Sequence, residues 1–151
     1  MRLALSADHA GYHLKQELAA KLTQQGHEIL DLGTHSLAPV DYPDSAEAVA
    51  RSLRDGQAER GIIVCGSGAG VSIAASKFPG IRAAVCHDTY TAHQAVEHDD
   101  MNVLCLGARV VGPSLALELV TAFLAARFSG EDRHLRRLHK IADIEGRFAA
   151  R

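Results

Sequence analysis

The sequence is short of several features that would place it in a common class. Its three cysteines, Cys65, Cys86 and Cys105, are odd in number and show no CxxC spacing. That argues against a disulfide framework and a structural zinc site, and suits a reducing compartment. No apolar run approaches the ~20 residues that cross a membrane. Met1 to Asp8 have neither the apolar stretch nor the cleavage site of a secretory signal. The expected location is therefore the cytoplasm, with no membrane partner. Charge of one sign is also missing: the net value is −2, so there is no bulk electrostatic case for nucleic acid. Any anion must be held by local groups. The nine histidines form no HExxH pair and no Cys/His cluster, so no metal is expected. No repeat or linker divides the chain.

What is present is ordinary for a globular protein, with 47% hydrophobic and 23% charged residues. At 151 residues the expectation is one domain over 1–151. Short apolar runs alternate with amphipathic stretches, the pattern of a parallel sheet wrapped by helices. Leu3–Leu5, Glu28–Asp31, Gly61–Val64, Ala83–Cys86 and Val103–Leu106 read as strands. Leu14, Leu18 and Leu22 mark one face of a first helix, which Gly26 stops. Asp44 is placed to cap a second helix, with Glu47 as its capping-box partner. A third helix is expected through Ile73 to Phe78. Asp88 caps a fourth toward His98, and a fifth runs from Pro113 to Phe128. From Arg133 to Phe148, Leu135, Leu138, Ile141, Ile144 and Phe148 form an apolar stripe that needs a surface to cover. That last helix can pack on its own chain or on a partner subunit.

In an open parallel sheet, ligands collect at the carboxyl ends of the strands. Those ends are rich in polar groups here: Asp8-His9, Cys65 to Gly70, His87-Asp88 and Arg109. The turn at Cys65-Gly66-Ser67-Gly68-Ala69-Gly70 is the sharpest feature. Its glycines let the backbone approach a ligand and turn N–H groups toward an anion. It is GxGxG rather than the dinucleotide GxGxxG, and no Gly-Lys-Ser/Thr follows. The plain alternative is a tight strand-to-helix turn. A thiol at a helix start has its pKa lowered from ~8.5, so Cys65 can act as a base beside amides that hold a developing oxyanion. Cys86 and Cys105, inside strands, read as inert core residues. Arg133 and Arg137, four apart, share a helix face and can clamp phosphate; a solvated basic face is the alternative.

With these motifs in view, the chain resembles the family of B-type ribose-5-phosphate isomerases, which also holds allose-6-phosphate and galactose-6-phosphate isomerases. The resemblance rests on Ser6-Ala7-Asp8-His9-Ala10-Gly11, Asp41-Tyr42-Pro43-Asp44, the Cys65–Gly70 turn and Asn102 to Arg109. It implies a Rossmann-like three-layer α/β sandwich with a five-stranded parallel sheet, a homodimer or dimer of dimers, and no cofactor. It further implies interconversion of ribose 5-phosphate and ribulose 5-phosphate through an enediolate. By that resemblance Cys65 is the base, and Ser67 with the amides from Gly66 through Gly68 to Gly70 stabilises the enediolate. His98 opens the furanose ring, and Asp8 and Tyr42 contact the sugar. His9, Arg133 and Arg137 bind phosphate, and Arg109 reaches in from the partner subunit.

One position departs from the family pattern. After His98 the family carries an Asn that touches substrate, and this chain has Asp99. A carboxylate there removes two donors and adds negative charge near an anionic substrate. Three other readings stay open: a hexose-6-phosphate isomerase with the same machinery, a non-catalytic sugar-phosphate-binding module, and a thiol-redox sensor at Cys65.

Overall fold

Strands buried at nearly every position build the sheet. A computed structural model describes residues 1–148, and five apolar segments are its strands: β1 (Arg2–Ala7), β2 (Glu28–Asp31), β3 (Arg60–Cys65), β4 (Ala83–Val85) and β5 (Val103–Gly107). All pair in parallel, in the order β2-β1-β3-β5-β4. Leu3, Leu5, Ile62, Val64, Leu104 and Leu106 face one side. Ala4, Ile63, Cys65, Val103 and Cys105 face the other. A parallel sheet covered on both faces needs apolar residues at nearly every position, which is why the central strands carry no charge after Arg60. The first face is covered by α1 (Tyr12–Gln24), α4 (Thr89–Asp99) and α5 (Pro113–Ala125). The second is covered by α2 (Tyr42–Arg54) and α3 (Ala69–Ala75). The result is the Rossmann-like three-layer sandwich expected.

Helix ends follow local chemistry, with three corrections. Gly26, at φ +86°, ends α1, and His27 N–H donates to Leu22 C=O. Asp88 caps α4, accepting from Thr91 N–H at 2.7 Å. At α2 the cap residue is Asp41, not Asp44, because Pro43 lies inside the first turn, where its missing N–H costs nothing. Glu47 pairs with Arg51 one turn on instead of closing a capping box. The third helix stops at Ala75, well short of Phe78, since Phe78 N–H already closes a tight turn onto Ala75 C=O. α5 ends at Ala125 rather than Phe128, because Ala126 turns extended. Arg60 then donates to the carbonyls of Phe123 and Ala126, and Arg127 to those of Leu124 and Ala126. Cations on orphan carbonyls at a helix C-terminus satisfy both the hydrogen bonds and the dipole.

Chain direction then sorts the loops between two edges of the sheet. Each strand exits at the carboxyl edge, and each helix carries the chain back to the amino edge. α4 starts after β4 and finishes before β5. Its end is pinned beside the entry to β4, where Arg82 pairs with Asp100 and the Asn102 side chain bonds Gly80 C=O and Arg82 N–H. The contacts of Arg60, the first residue of β3, put the end of α5 at that same amino edge. Ser129 N–H donates to Glu97 C=O at 2.9 Å, so α6 (Asp132–Phe148) starts against the last turn of α4. Of the apolar stripe on α6, Leu138, Ile141, Ile144 and Phe148 lie over the segment from Pro79 to Ala84. Ile144 and Phe148 nevertheless remain 51% and 65% exposed. The chain covers its own stripe only in part.

Candidate active site

After β1 the chain leaves for one face of the sheet, and after the adjacent β3 it leaves for the other. The two exits part to form a crevice at the carboxyl edge, where open α/β sheets take ligands. Three glycines let the surrounding loops close in. A Cβ on Gly11 would stand 2.2 Å from Val64 O, one on Gly107 would stand 2.7 Å from the Ser67 backbone, and one on Gly70 would meet the Tyr42 ring at 2.9 Å. No side chain fits at these positions without moving backbone or an aromatic ring. The β1 and β5 exits and the start of α2 therefore pack directly around the Cys65 turn.

Cys65 is the last residue of β3, with 5% exposure. Gly68 takes the left-handed conformation at φ +81°, which glycine adopts at little cost. This turns its N–H onto Cys65 Sγ at 3.0 Å. A backbone donor on the sulfur is the contact that suits negative charge there. It also narrows the expected oxyanion cradle, since the Gly68 amide is already engaged by Cys65 Sγ. Ala69 N–H bonds the exposed Ser67 hydroxyl at 3.3 Å. The amides of Gly66, Ser67 and Gly70 make no bond within the chain among the described residues and are the donors left for a ligand.

Around this turn stand the other residues of the same edge. Asp8 is buried, and its Oδ1 accepts from Ala10 and Gly11 N–H at 2.9 and 3.0 Å. That pair of bonds fixes the carboxylate and leaves Oδ2 for a hydroxyl. His9 Nδ1 accepts from Val40 N–H at 3.3 Å, so the neutral ring carries its proton on Nε2. His87 Nε2 accepts from Gly107 N–H at 3.2 Å and ties the β4 exit to that of β5. Arg109 N–H donates to Gly66 C=O at 3.0 Å, and its guanidinium would stand 3.4 Å from a Cβ on Gly66. Arg109 lies over the Cys65 turn of its own chain, because β5 exits beside β3, with Cys65 opposite Gly107.

The remaining predicted residues are elsewhere. His98 and Asp99 end α4, and Arg133 and Arg137 begin α6, all at the amino edge. β3 alone spans six residues, so that edge is ~16 Å from Cys65 at ~3.3 Å per residue. Arg133 bonds Glu131 at 2.8 Å, and the two rings of His98 and His134 stack with centroids 4.1 Å apart. Asp99 lines a largely apolar cleft of about 730 Å³ between the β4 entry and α6. That cleft contains none of the carboxyl-edge residues. One chain therefore holds two half-sets: Asp8, His9, Tyr42, Cys65, Ser67 and Arg109 at one edge, and His98, Asp99, Arg133 and Arg137 at the other.

Comparison with known proteins bears on what these half-sets do. Residues 3–141 match the family described as Ribose/Galactose Isomerase. Ribose-5-phosphate isomerase B of Escherichia coli is 45% identical over 146 residues, 97% of each chain. The chain belongs to this family. The solved ribose-5-phosphate isomerase B of Clostridium thermocellum superimposes with a TM-score of 0.96 at 49% identity, covering 98% of this chain and 99% of that one. A D-erythrulose-4-phosphate isomerase of Pectobacterium atrosepticum is 42% identical over 134 residues, 86% of each chain. The family is one of aldose–ketose isomerases, and membership extends that class to this protein.

The thiols are not placed to form a disulfide switch. Cys105 pairs in register with Ile63, two residues before Cys65. Strand spacing then puts the Cys65 and Cys105 Cα atoms ~8 Å apart, beyond disulfide reach. Cys86 packs on the opposite face of the sheet from both. Burial pushes the Cys86 thiol up to about 11 and raises that of Cys105 further, so both stay protonated at neutral pH. Among the described residues no group of three or more His, Cys, Asp or Glu is placed to hold a metal ion. Exhaustive dialysis against EDTA is expected to leave activity unchanged. Loss on chelation, with recovery on adding a divalent ion, would show that a metal takes part.

Two contributors escaped the sequence reading. Gly107 admits the Ser67 backbone, but a lone glycine at a strand end carries no signal of what approaches it. His134 sits between Arg133 and Arg137, one residue off the face they share, so helical spacing conceals it.

Proposed function

We propose that this protein interconverts ribose 5-phosphate and ribulose 5-phosphate, as a single domain over 1–151 working in a cytoplasmic homodimer. The observation that carries the reading is the Gly68 N–H on Cys65 Sγ at the crevice between β1 and β3, in a chain of this family. The homodimer follows from the two half-sets. A complete site forms when the amino edge of one subunit, with His98, Arg133 and Arg137, meets the carboxyl edge of its partner. The partly exposed stripe on α6 is an apolar surface available to such a contact. A cytoplasmic location agrees with three free cysteines; no helix of the described residues is long and apolar enough to cross a membrane.

The chemistry needs no net oxidant. Phosphate is held by His9 Nε2–H from one subunit and by Arg133 and Arg137 from the other. His98 opens the furanose by moving the proton of the anomeric hydroxyl to the ring oxygen. Cys65 thiolate then removes the proton on C2, leaving the enediolate between C1 and C2. Charge on its oxygens is met by Ser67 and its amide, with Arg109 close by over Gly66. Returning the proton from Cys65 to C1, with exchange of the hydroxyl proton, gives the 2-ketose. Asp8 Oδ2 and Tyr42 orient the sugar hydroxyls.

The test is a comparison of kcat/KM for ribose 5-phosphate, allose 6-phosphate and galactose 6-phosphate. The pentose phosphate is expected to lead. A hexose phosphate in first place would transfer the machinery to a longer substrate, and no turnover of any sugar would reduce the protein to a binding module. In the same assay Asp99→Asn should lower KM or change the order of preference, because it removes a like charge near an anionic ligand. Identical constants for both forms on all three sugars would make the carboxylate silent.

A further inference from the structure

The ring-opening step assigned to His98 requires a nitrogen that carries a proton and faces the sugar. The contacts on α4 determine which nitrogen that is. Gln94 stands one turn before His98, on the same helix face, and its amide Nε2 lies 2.8 Å from His98 Nδ1. An amide NH₂ can only donate, so Nδ1 is the acceptor and the proton of the neutral ring resides on Nε2. The other side of the ring is occupied. His134, 1% exposed, stacks on His98 at an interplanar angle of 28° and is anchored through its own Nδ1 to Ser129 Oγ at 2.6 Å. The bond at Nδ1 and the stack over one face together hold the ring against exchanging its nitrogens.

We propose that Gln94 is a positioning residue for His98: its amide holds the Nε2–H tautomer and aims that nitrogen away from α4, toward the substrate. The inference rests on the ring-opening role given to His98 above. Its consequence is selective. Ribose 5-phosphate is a closed furanose and must be opened, whereas an aldotetrose 4-phosphate has its O4 esterified and cannot form that ring. A relative named for a tetrulose 4-phosphate makes erythrose 4-phosphate a reasonable probe. Gln94 should matter for the first sugar and not for the second.

Long-range ¹H–¹⁵N NMR of the imidazole nitrogens reads the tautomer directly on the intact protein. In the wild type, His98 Nδ1 should appear as an unprotonated, pyridine-like nitrogen. Gln94→Glu replaces the donor by a carboxylate that accepts, so the proton should move to Nδ1. In that variant kcat/KM for ribose 5-phosphate should fall about ten-fold or more, with the ~10²–10⁴-fold worth of general acid–base catalysis as its upper bound, while that for erythrose 4-phosphate holds. A protonated Nδ1 in the wild type would overturn the proposal, and that spectrum needs no variant to fold. An unchanged tautomer in Gln94→Glu, or an equal fall on both sugars, would overturn it as well. If the wild type turns over neither sugar, the isomerase reading fails, and the wild-type spectrum still decides the tautomer.

Discussion

Cys65→Ala is expected to lower kcat by ~10²–10⁴-fold, the usual worth of a general base, while sugar-phosphate binding survives. Binding should persist because His9, Arg133 and Arg137 are untouched and the hydrogen bond made to the sulfur among the described residues is that of Gly68 N–H alone. The change removes one sulfur atom from the core face under α2 and α3, a small truncation beside the large-to-small changes that cost several kcal/mol. Iodoacetamide should inactivate the wild type by alkylating Cys65, and bound ribose 5-phosphate should protect. Cys86 and Cys105 should resist, since burial keeps both thiols protonated and the thiolate is the nucleophile. Residual turnover above about a tenth of the wild type would be more than loss of a base allows and would take Cys65 out of that role.

Mixing subunits should restore activity to dead parents, but only for particular pairs. Cys65→Ala injures the carboxyl edge and His98→Asn the amino edge, so each homodimer has two damaged sites. In a mixed dimer, the intact carboxyl edge of the His98 variant meets the intact amino edge of the Cys65 variant, and the other site carries both lesions. Random pairing makes about half the dimers mixed, so roughly a quarter of wild-type activity should return after joint refolding. Cys65→Ala mixed with Arg109→Ala should regain nothing, because both lesions lie at one edge and every site keeps one. Recovery in the Arg109 mixture, with none in the His98 mixture, would place Arg109 in the partner's site and His98 in its own.

The contrast between those mixtures also separates what the sequence alone determines from what the fold adds. The sheet was legible because strands buried on both faces cannot carry charge, so Gly61–Val64 and Val103–Leu106 stood out. The carboxyl-edge half of the site was legible by the same logic, since polar groups following such runs sit at strand exits. Helix ends were less so: Pro43 tolerates a place inside the first turn, which left Asp41 and Asp44 as rival caps. The division between the edges was hidden for a different reason. His98 follows the fourth strand in sequence, yet α4 carries it back the length of the sheet, and the bonds of Arg82 and Asn102 at its end reveal where that helix stops. Arg109 shows the converse: the register of β5 on β3 puts it over Gly66 of its own chain, a proximity that strand pairing creates and residue spacing does not show.

Proton NMR of ribose 5-phosphate incubated with the protein in D₂O tests the central claim most directly. Proton transfer at C2 by a base open to solvent exchange predicts growth of ribulose 5-phosphate signals together with loss of the C2 proton signal from the remaining aldose. Both should be absent with Cys65→Ala. A spectrum in which the sugar binds, its phosphate resonance shifts, and the C2 proton persists without any ketose forming would contradict the isomerase account.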